Sequence, residues 1–343
     1  MENLKSILDI DIPQTLYHYT DANAFMGMIT KHEFWASHIR FMNDYTEFKL
    51  AKDKFIKMIP EFINGKFPSG ATSPEKVVKD FECLTGKIDV FIVSLSEKED
   101  ELNQWRAYGK SIPNYSLAFN KDSLVENSFI ISKKEEIIQH IEDYVYKSKR
   151  DPISRILLPC IYDKAEQEKL LKEILEDSYR KVSEKKETSI EFTKYIARKF
   201  IFYAPLIKNN DYVDEKEWRI VVIFDEHDQQ LEEKRQREEN NKSIIKDGTL
   251  YLDKLLESKN EKSEKIDFRC NGSYFIPYYK LGFKDNNCIE KVFIGACPDY
   301  DTVYESVEYM LRKNGIGLKR IKDEAIIQKS KLAYRQYVVP SSL

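Results

Sequence analysis

Apolar and polar positions along the chain follow two periods. Leu16-Tyr17-His18-Tyr19-Thr20 changes side at every residue, the spacing of a strand, so His18 and Thr20 share one face. Residues 33–37, 115–119, 272–281 and 289–295 are predicted strands as well, and residues 326–333 form a last strand-like run. Residues 90–96, Val-Phe-Ile-Val-Ser-Leu-Ser, are almost continuously apolar, which predicts a strand covered on both faces. Residues 156–162 form another, with Pro159 restricting it to an edge or a bulge.

Helical spacing is predicted over 2–10, 44–59, 74–84, 133–146 and 298–313. A helix over 21–30 places Phe25, Met28 and Ile29 on its buried side, with Thr20 as its cap. Leu102 to Gly109 is one short helix stopped by its glycine. Residues 68–74 form an exposed loop. Residues 164–207 are helical with a break near 187–189, an insertion or a lid. Residues 225–266 form a polar, solvated excursion. The order of elements predicts one elaborated α+β domain over residues 1–343.

Composition narrows the partners. A formal net charge of -3 signals no general affinity for nucleic acid. No apolar run reaches membrane-spanning length, and the first residues lack an apolar signal core, so no membrane partner is expected. The five cysteines are dispersed and form no Cys-x-x-Cys pair, which points to free thiols in a reducing cytoplasm. The histidines show no metal-ligand spacing, so no metal is expected.

Three polar landmarks stand on or beside apolar strands: His18 with Tyr19 and Thr20, the Ser94/Ser96 pair, and the Glu215/Glu217 pair. Each alone has a plain structural reading. Ser-x-Ser marks a strand end, the glutamates are surface charges paired with Arg219, the tryptophans are core, and Asn43 caps a helix. Together they suit a dinucleotide carrying a cationic nicotinamide. Cleavage of its ribose bond builds positive charge on the sugar, which a carboxylate stabilises. A histidine holds a ribose hydroxyl, a tyrosine stacks on the pyridinium, and serine hydroxyls brace the glutamate or the second ribose.

The sequence resembles a bacterial family of unknown function, domain-of-unknown-function family 2971, across most of its length. The resemblance is carried by Leu16 to Thr20, Phe41 to Glu47, Ser94-Leu95-Ser96, Trp105-x-x-Tyr108-Gly109, Glu215-x-Glu217-Trp218-Arg219 and Ile294-Gly295. Met42 between Phe41 and Asn43, and Tyr45 where the family often has proline, depart from it. More distantly, His-Tyr-Thr, Ser-x-Ser and Glu-x-Glu in that order are similar to the ADP-ribosyltransferase superfamily. That resemblance implies a split β-sheet core with inserted helices and NAD bound as substrate in a cleft. It implies Glu217 as catalytic glutamate, Glu215 as the acid facing the acceptor, and His18 on the nicotinamide ribose with Thr20 beside it. Tyr19, Ser94, Ser96, Asn43 and Trp105 complete the expected contacts. The acceptor would be a protein or nucleic acid, in a toxin or anti-phage role, with an antitoxin or regulator as a further partner. Two other readings stand beside it. One is a metal-dependent nuclease built on Asp214-Glu215-Lys216 with Asp44 or Glu47. The other is a nucleotide- or partner-binding module without chemistry.

Overall fold

The computed structural model describes residues 11–42, 45–67, 73–108, 113–128, 130–146, 153–225, 265–271, 273–283, 288–317 and 326–332. The helix expected at 2–10, Asn43, Asp44, Gly109, most of the 68–74 loop and all but the ends of the 225–266 excursion lie outside the described residues.

The chain opens with strand β1 (Thr15–Thr20), helix α1 (Ala22–Lys31) and strand β2 (Glu33–His38). Helices α2 (Tyr45–Ile63) and α3 (Pro74–Gly86) lead to β3 (Ile88–Ser96), then α4 (Leu102–Tyr108), β4 (Tyr115–Asn120), α5 (Lys121–Asn127) and α6 (Lys134–Tyr146). Next come β5 (Ile153–Pro159), α7 (Lys164–Lys185), α8 (Ser189–Tyr203), a 3₁₀ turn (Asn210–Glu215) and β6 (Glu217–Asp225). The chain closes with β7 (Ile266–Asn271), β8 (Tyr274–Gly282), β9 (Ile289–Ile294), α9 (Tyr300–Lys313) and β10 (Ile327–Lys329). This is a mixed α+β fold on one large sheet. Its described pairings are antiparallel except for β9 with β10 and two isolated bridges. Among the described residues no helix is long and apolar enough to cross a membrane.

The cap of α1 differs from the sequence expectation. Asp21, not Thr20, accepts the Ala24 N–H at 3.0 Å. Thr20 belongs to β1, paired opposite Tyr115, so the first residue outside the strand takes the capping position. Strand β7 was also not anticipated. It forms a hairpin with β8, Ile266 opposite Tyr279 through Asn271 opposite Tyr274.

β3 is covered on both faces, as its apolar run predicts. Val90 and Ile92 enter one core with α2, α3, α6, α7 and α8, while Phe91, Val93 and Leu95 enter a second with α1, α5 and α9. Helix α8 buries Phe192, Ile196 and Phe200 in the first core, each such side chain contributing roughly 1.5–3 kcal/mol. Among the described residues β5 pairs with β6 and meets Ile131 in a single bridge on its other side, a near-edge position that tolerates Pro159 as its last residue.

The sheet forks at β3. One edge of β3 pairs with β6 along its length, from Ile88 opposite Asp225 to Ser96 opposite Glu217. The other edge is shared: β1 meets it at Tyr17 opposite Ser96, and β2 meets it at Ser37 opposite Ile92 and His38 opposite Phe91. From β1 the sheet continues through β4 and β9 to β10, and from β2 through β8 to β7. The ring of His18 bridges the divergence, with Nδ1 2.8 Å from the Ser94 carbonyl and its face edge-on to Phe34 of β2.

Candidate functional site

A cavity of about 290 Å³ opens where β1 and β3 part, lined by Tyr17, His18, Tyr19, Ser94, Leu95, Ser96, Gln104, Tyr108, Glu215 and Glu217. That volume includes open solvent; the enclosed part is about 40 Å³, well below the ~300–1,000 Å³ of small-molecule sites. Three segments distant in sequence supply its polar wall. β1 contributes His18, the end of β3 contributes Ser94 and Ser96, and the turn entering β6 contributes Glu215 and Glu217.

The two serines differ in what they commit: Ser94 its backbone, Ser96 its hydroxyl. Ser94 offers its backbone carbonyl to His18. Ser96, 2% exposed, donates its hydroxyl to the Glu215 carbonyl at 2.6 Å and accepts the Lys98 N–H at 3.0 Å. It ties the end of β3 to the acidic turn. The turn is closed by Lys216, held in the left-handed region at φ 46°, and by the Lys216 carbonyl accepting from the Glu97 N–H.

Glu217 is not a surface charge: it is 3% exposed. Arg219 donates to it from Nε at 2.8 Å and Nη2 at 3.1 Å, and Lys208 from Nζ at 2.5 Å. The same Nζ stands 2.5 Å from Glu215 Oε2, which Tyr108 also approaches at 3.4 Å. Burial alone would push the Glu217 carboxyl up. The charges and hydrogen bonds of Arg219 and Lys208 outweigh it and bring the pKa down to about 2. The Glu217 N–H is taken by the Tyr162 hydroxyl at 2.8 Å and its carbonyl by the Cys160 N–H at 2.9 Å.

His18 is kept neutral. Burial lowers its pKa to about 4, the Ser94 carbonyl opposes that shift, and the charge of Arg269 adds to it. With the Nδ1–H donated to Ser94, the lone pair is on Nε2. The tyrosines form the other wall. Tyr17 is pushed up to about 12 by burial and by Glu99 and Glu290. Tyr19 packs edge-on against Trp105 and spends its hydroxyl on the Lys98 carbonyl at 2.7 Å and the Glu101 N–H at 3.0 Å.

Two residues expected at the site do not line the cavity. Thr20 is a buried strand residue, and Trp105 is 0% exposed, with its Nε1–H donated to Asp100 Oδ1 at 2.8 Å. Trp105 instead supports α4, which carries Gln104 and Tyr108 to the cavity. Asp100, itself at φ 52°, also takes Ser330 Oγ at 2.6 Å and the Lys331 N–H at 2.7 Å. Asn43, and the acidic Asp44 of the nuclease reading, fall outside the described residues. No residue of 164–207 lines the cavity.

Lys208, Gln104, Tyr17 and Tyr162 were not singled out from the sequence. Lys208 carried one weak signal, a lysine ending the apolar stretch Pro205-Leu206-Ile207 just ahead of the acidic block. Among the described residues no group of three His, Cys, Asp or Glu side chains is arranged to hold a metal.

No curated protein and no solved structure matches the chain, and nothing in these comparisons speaks for the distant ADP-ribosyltransferase resemblance. The family resemblance is matched over a shorter stretch than most of the chain, leaving out Leu16 to Glu47, Ser94-Leu95-Ser96 and Ile294-Gly295. Residues 104–220, from within α4 through the acidic turn to the first residues of β6, match the model of a family described as Protein of unknown function (DUF2971).

Proposed function

We propose that the cavity is the site of an NAD-dependent ADP-ribosyltransferase-like enzyme that takes the pyridine–ribose half of the dinucleotide. The observation supporting this reading is the hollow shared by His18, Glu215 and Glu217 with Tyr17, Tyr19 and Tyr108. The pyridinium stacks against Tyr17 or Tyr19. His18 Nε2 accepts a ribose hydroxyl. Glu217, held ionised, faces the sugar as the bond from C1′ to the pyridine nitrogen breaks. The electron pair of that bond leaves with nicotinamide and cancels the ring's positive charge. The acceptor's nucleophilic atom forms the new bond to C1′, and its proton passes to the Glu215 carboxylate. The acceptor is a protein or nucleic acid.

A second reading has its own support. Lys208 and Arg219 already balance the two glutamates, which favours a recognition pocket that binds a nucleotide without chemistry. The nuclease reading fits less well, because those same cations occupy the carboxylates that a metal would need.

Nicotinamide release from NAD by the purified protein, compared with Glu217→Gln, tests the enzyme. Release lost at least 100-fold in the variant supports it. Equal release removes Glu217 from the mechanism, and saturable NAD binding with no release under any acceptor selects the binding module.

A further inference from the structure

We propose that Arg269 forms an anion subsite on the same sheet face as the cavity, fitted to the phosphate of a phosphate-bearing ligand. That the ligand is a pyridine nucleotide rests on the reading above; the anion site rests on its own geometry.

Residues opposed across an antiparallel ladder share a face, and the face repeats every second residue. Asp267 of β7 stands opposite Tyr278, and Ser37 of β2 stands opposite the same Tyr278. Arg269, two residues after Asp267, is therefore on the face of Ser37. Ser37 stands opposite Ile92 of β3; Ser94, two residues on, stands opposite Arg219, and Ser96 opposite Glu217. One continuous face runs from Arg269 to the glutamate at the cavity.

The guanidinium of Arg269 is incompletely used. Its Nη2 donates to Ser37 Oγ at 2.7 Å. Its Nε is buried and has no hydrogen-bond partner among the described residues. No carboxylate lies within ion-pair distance of it among those residues, and Asp21, which attracts it from farther away, gives Oδ1 to the Ala24 N–H. Arg219 on the same face is the opposite case, bound to Glu217 and to the Pro205 carbonyl. Arg269 is part-buried and its Nε–H is shielded; a shielded N–H without an acceptor is costly, and an anion with two oxygens in one plane matches the guanidinium fork. Ser37 Oγ, having accepted from Arg269, still has its own O–H to give. A phosphate supplies oxygens for both groups. The positive charge of Arg269 is felt at His18, which lines the cavity.

Calorimetric titration of inorganic pyrophosphate into the full chain, Arg269→Met and Arg269→Lys tests this, with thermal unfolding to confirm the fold of each. The expected result is saturable binding by the parent chain, at least tenfold weaker in Arg269→Met and intermediate in Arg269→Lys. No saturable binding by the parent, or equal binding by a folded variant, overturns the subsite. If Arg269→Met does not fold, Arg269→Lys decides alone. Nicotinamide mononucleotide against nicotinamide riboside separates this proposal from the one it rests on. A tenfold preference for the phosphorylated compound that disappears in Arg269→Met supports both. Mononucleotide binding unaffected by the variant sinks the subsite and leaves the dinucleotide reading standing. Pyrophosphate binding through Arg269 with neither pyridine compound bound supports the subsite and sinks the dinucleotide reading.

Discussion

Lys208 Nζ lies 2.5 Å from Glu217 Oε2 and the same distance from Glu215 Oε2, so one buried ammonium joins both acids of the cavity. It is 1% exposed, and its ammonium also lies over the Tyr212 ring, 5.3 Å from the centroid.

Lys208→Met is therefore expected to do more than remove a surface charge. It takes the shared ammonium from both carboxylates while Arg219 stays on Glu217 alone, and breaking such a buried pair costs about 3–5 kcal/mol. Urea denaturation of the variant checks the size of the loss. A change under 1 kcal/mol would show that the acids do not need this lysine.

Stability should fall with acid in two windows. The Glu217 carboxyl is depressed from 4.5 to about 2 in the fold. Its contribution, on the order of 3 kcal/mol, is complete above about pH 5 and lost as pH falls toward 2. His18 is depressed from 6.5 to about 4, so the unfolded chain binds its proton first. Its contribution is complete above about pH 7 and lost between 6.5 and 4. Denaturation midpoints from pH 3 to 8 should show the upper slope disappear in His18→Asn, which keeps an N–H near the Nδ1 position. An unchanged slope would mean that His18 titrates normally.

Ser96→Ala removes a donor to the Glu215 carbonyl and an acceptor for the Lys98 N–H. The expected cost is about 1–3 kcal/mol, because both partners stay behind without it. Amide hydrogen exchange should quicken at residues 215–217 while protection along α8 stays as it was.

Gly295→Ala tests the support beneath α4. A Cβ there would meet the Asn114 carbonyl at 3.2 Å and the Trp105 ring at 3.2 Å. Trp105 is fully enclosed and has little room to give, so the variant should lose about 1–3 kcal/mol. A shifted tryptophan emission would report the displacement.

The strands and helices were legible where one period dominated. The continuous run of β3 announced a strand between two cores, and His18, Ser94 and the glutamate pair could be picked out because each is polar on or beside an apolar strand. What escaped was set by tertiary contact. Lys208 acts through groups seven and nine residues away that fold back onto it, and no periodicity encodes that return. Trp105 looked like a stacking platform because aromatic residues serve in pockets and cores alike; its burial beneath α4 comes from Tyr19 and Gly295, both far along the chain. Thr20 and Asp21 are both capping residue types, and the last pairing of β1 leaves Asp21 as the cap.

The Asp100 carboxylate grips Trp105 with one hand and the stretch around Ser330 with the other. A wall of the hollow is thus moored to a piece of chain that never touches its contents. Ser330→Ala, a change far from the hollow, would slacken the hold on Trp105 and on the helix above it.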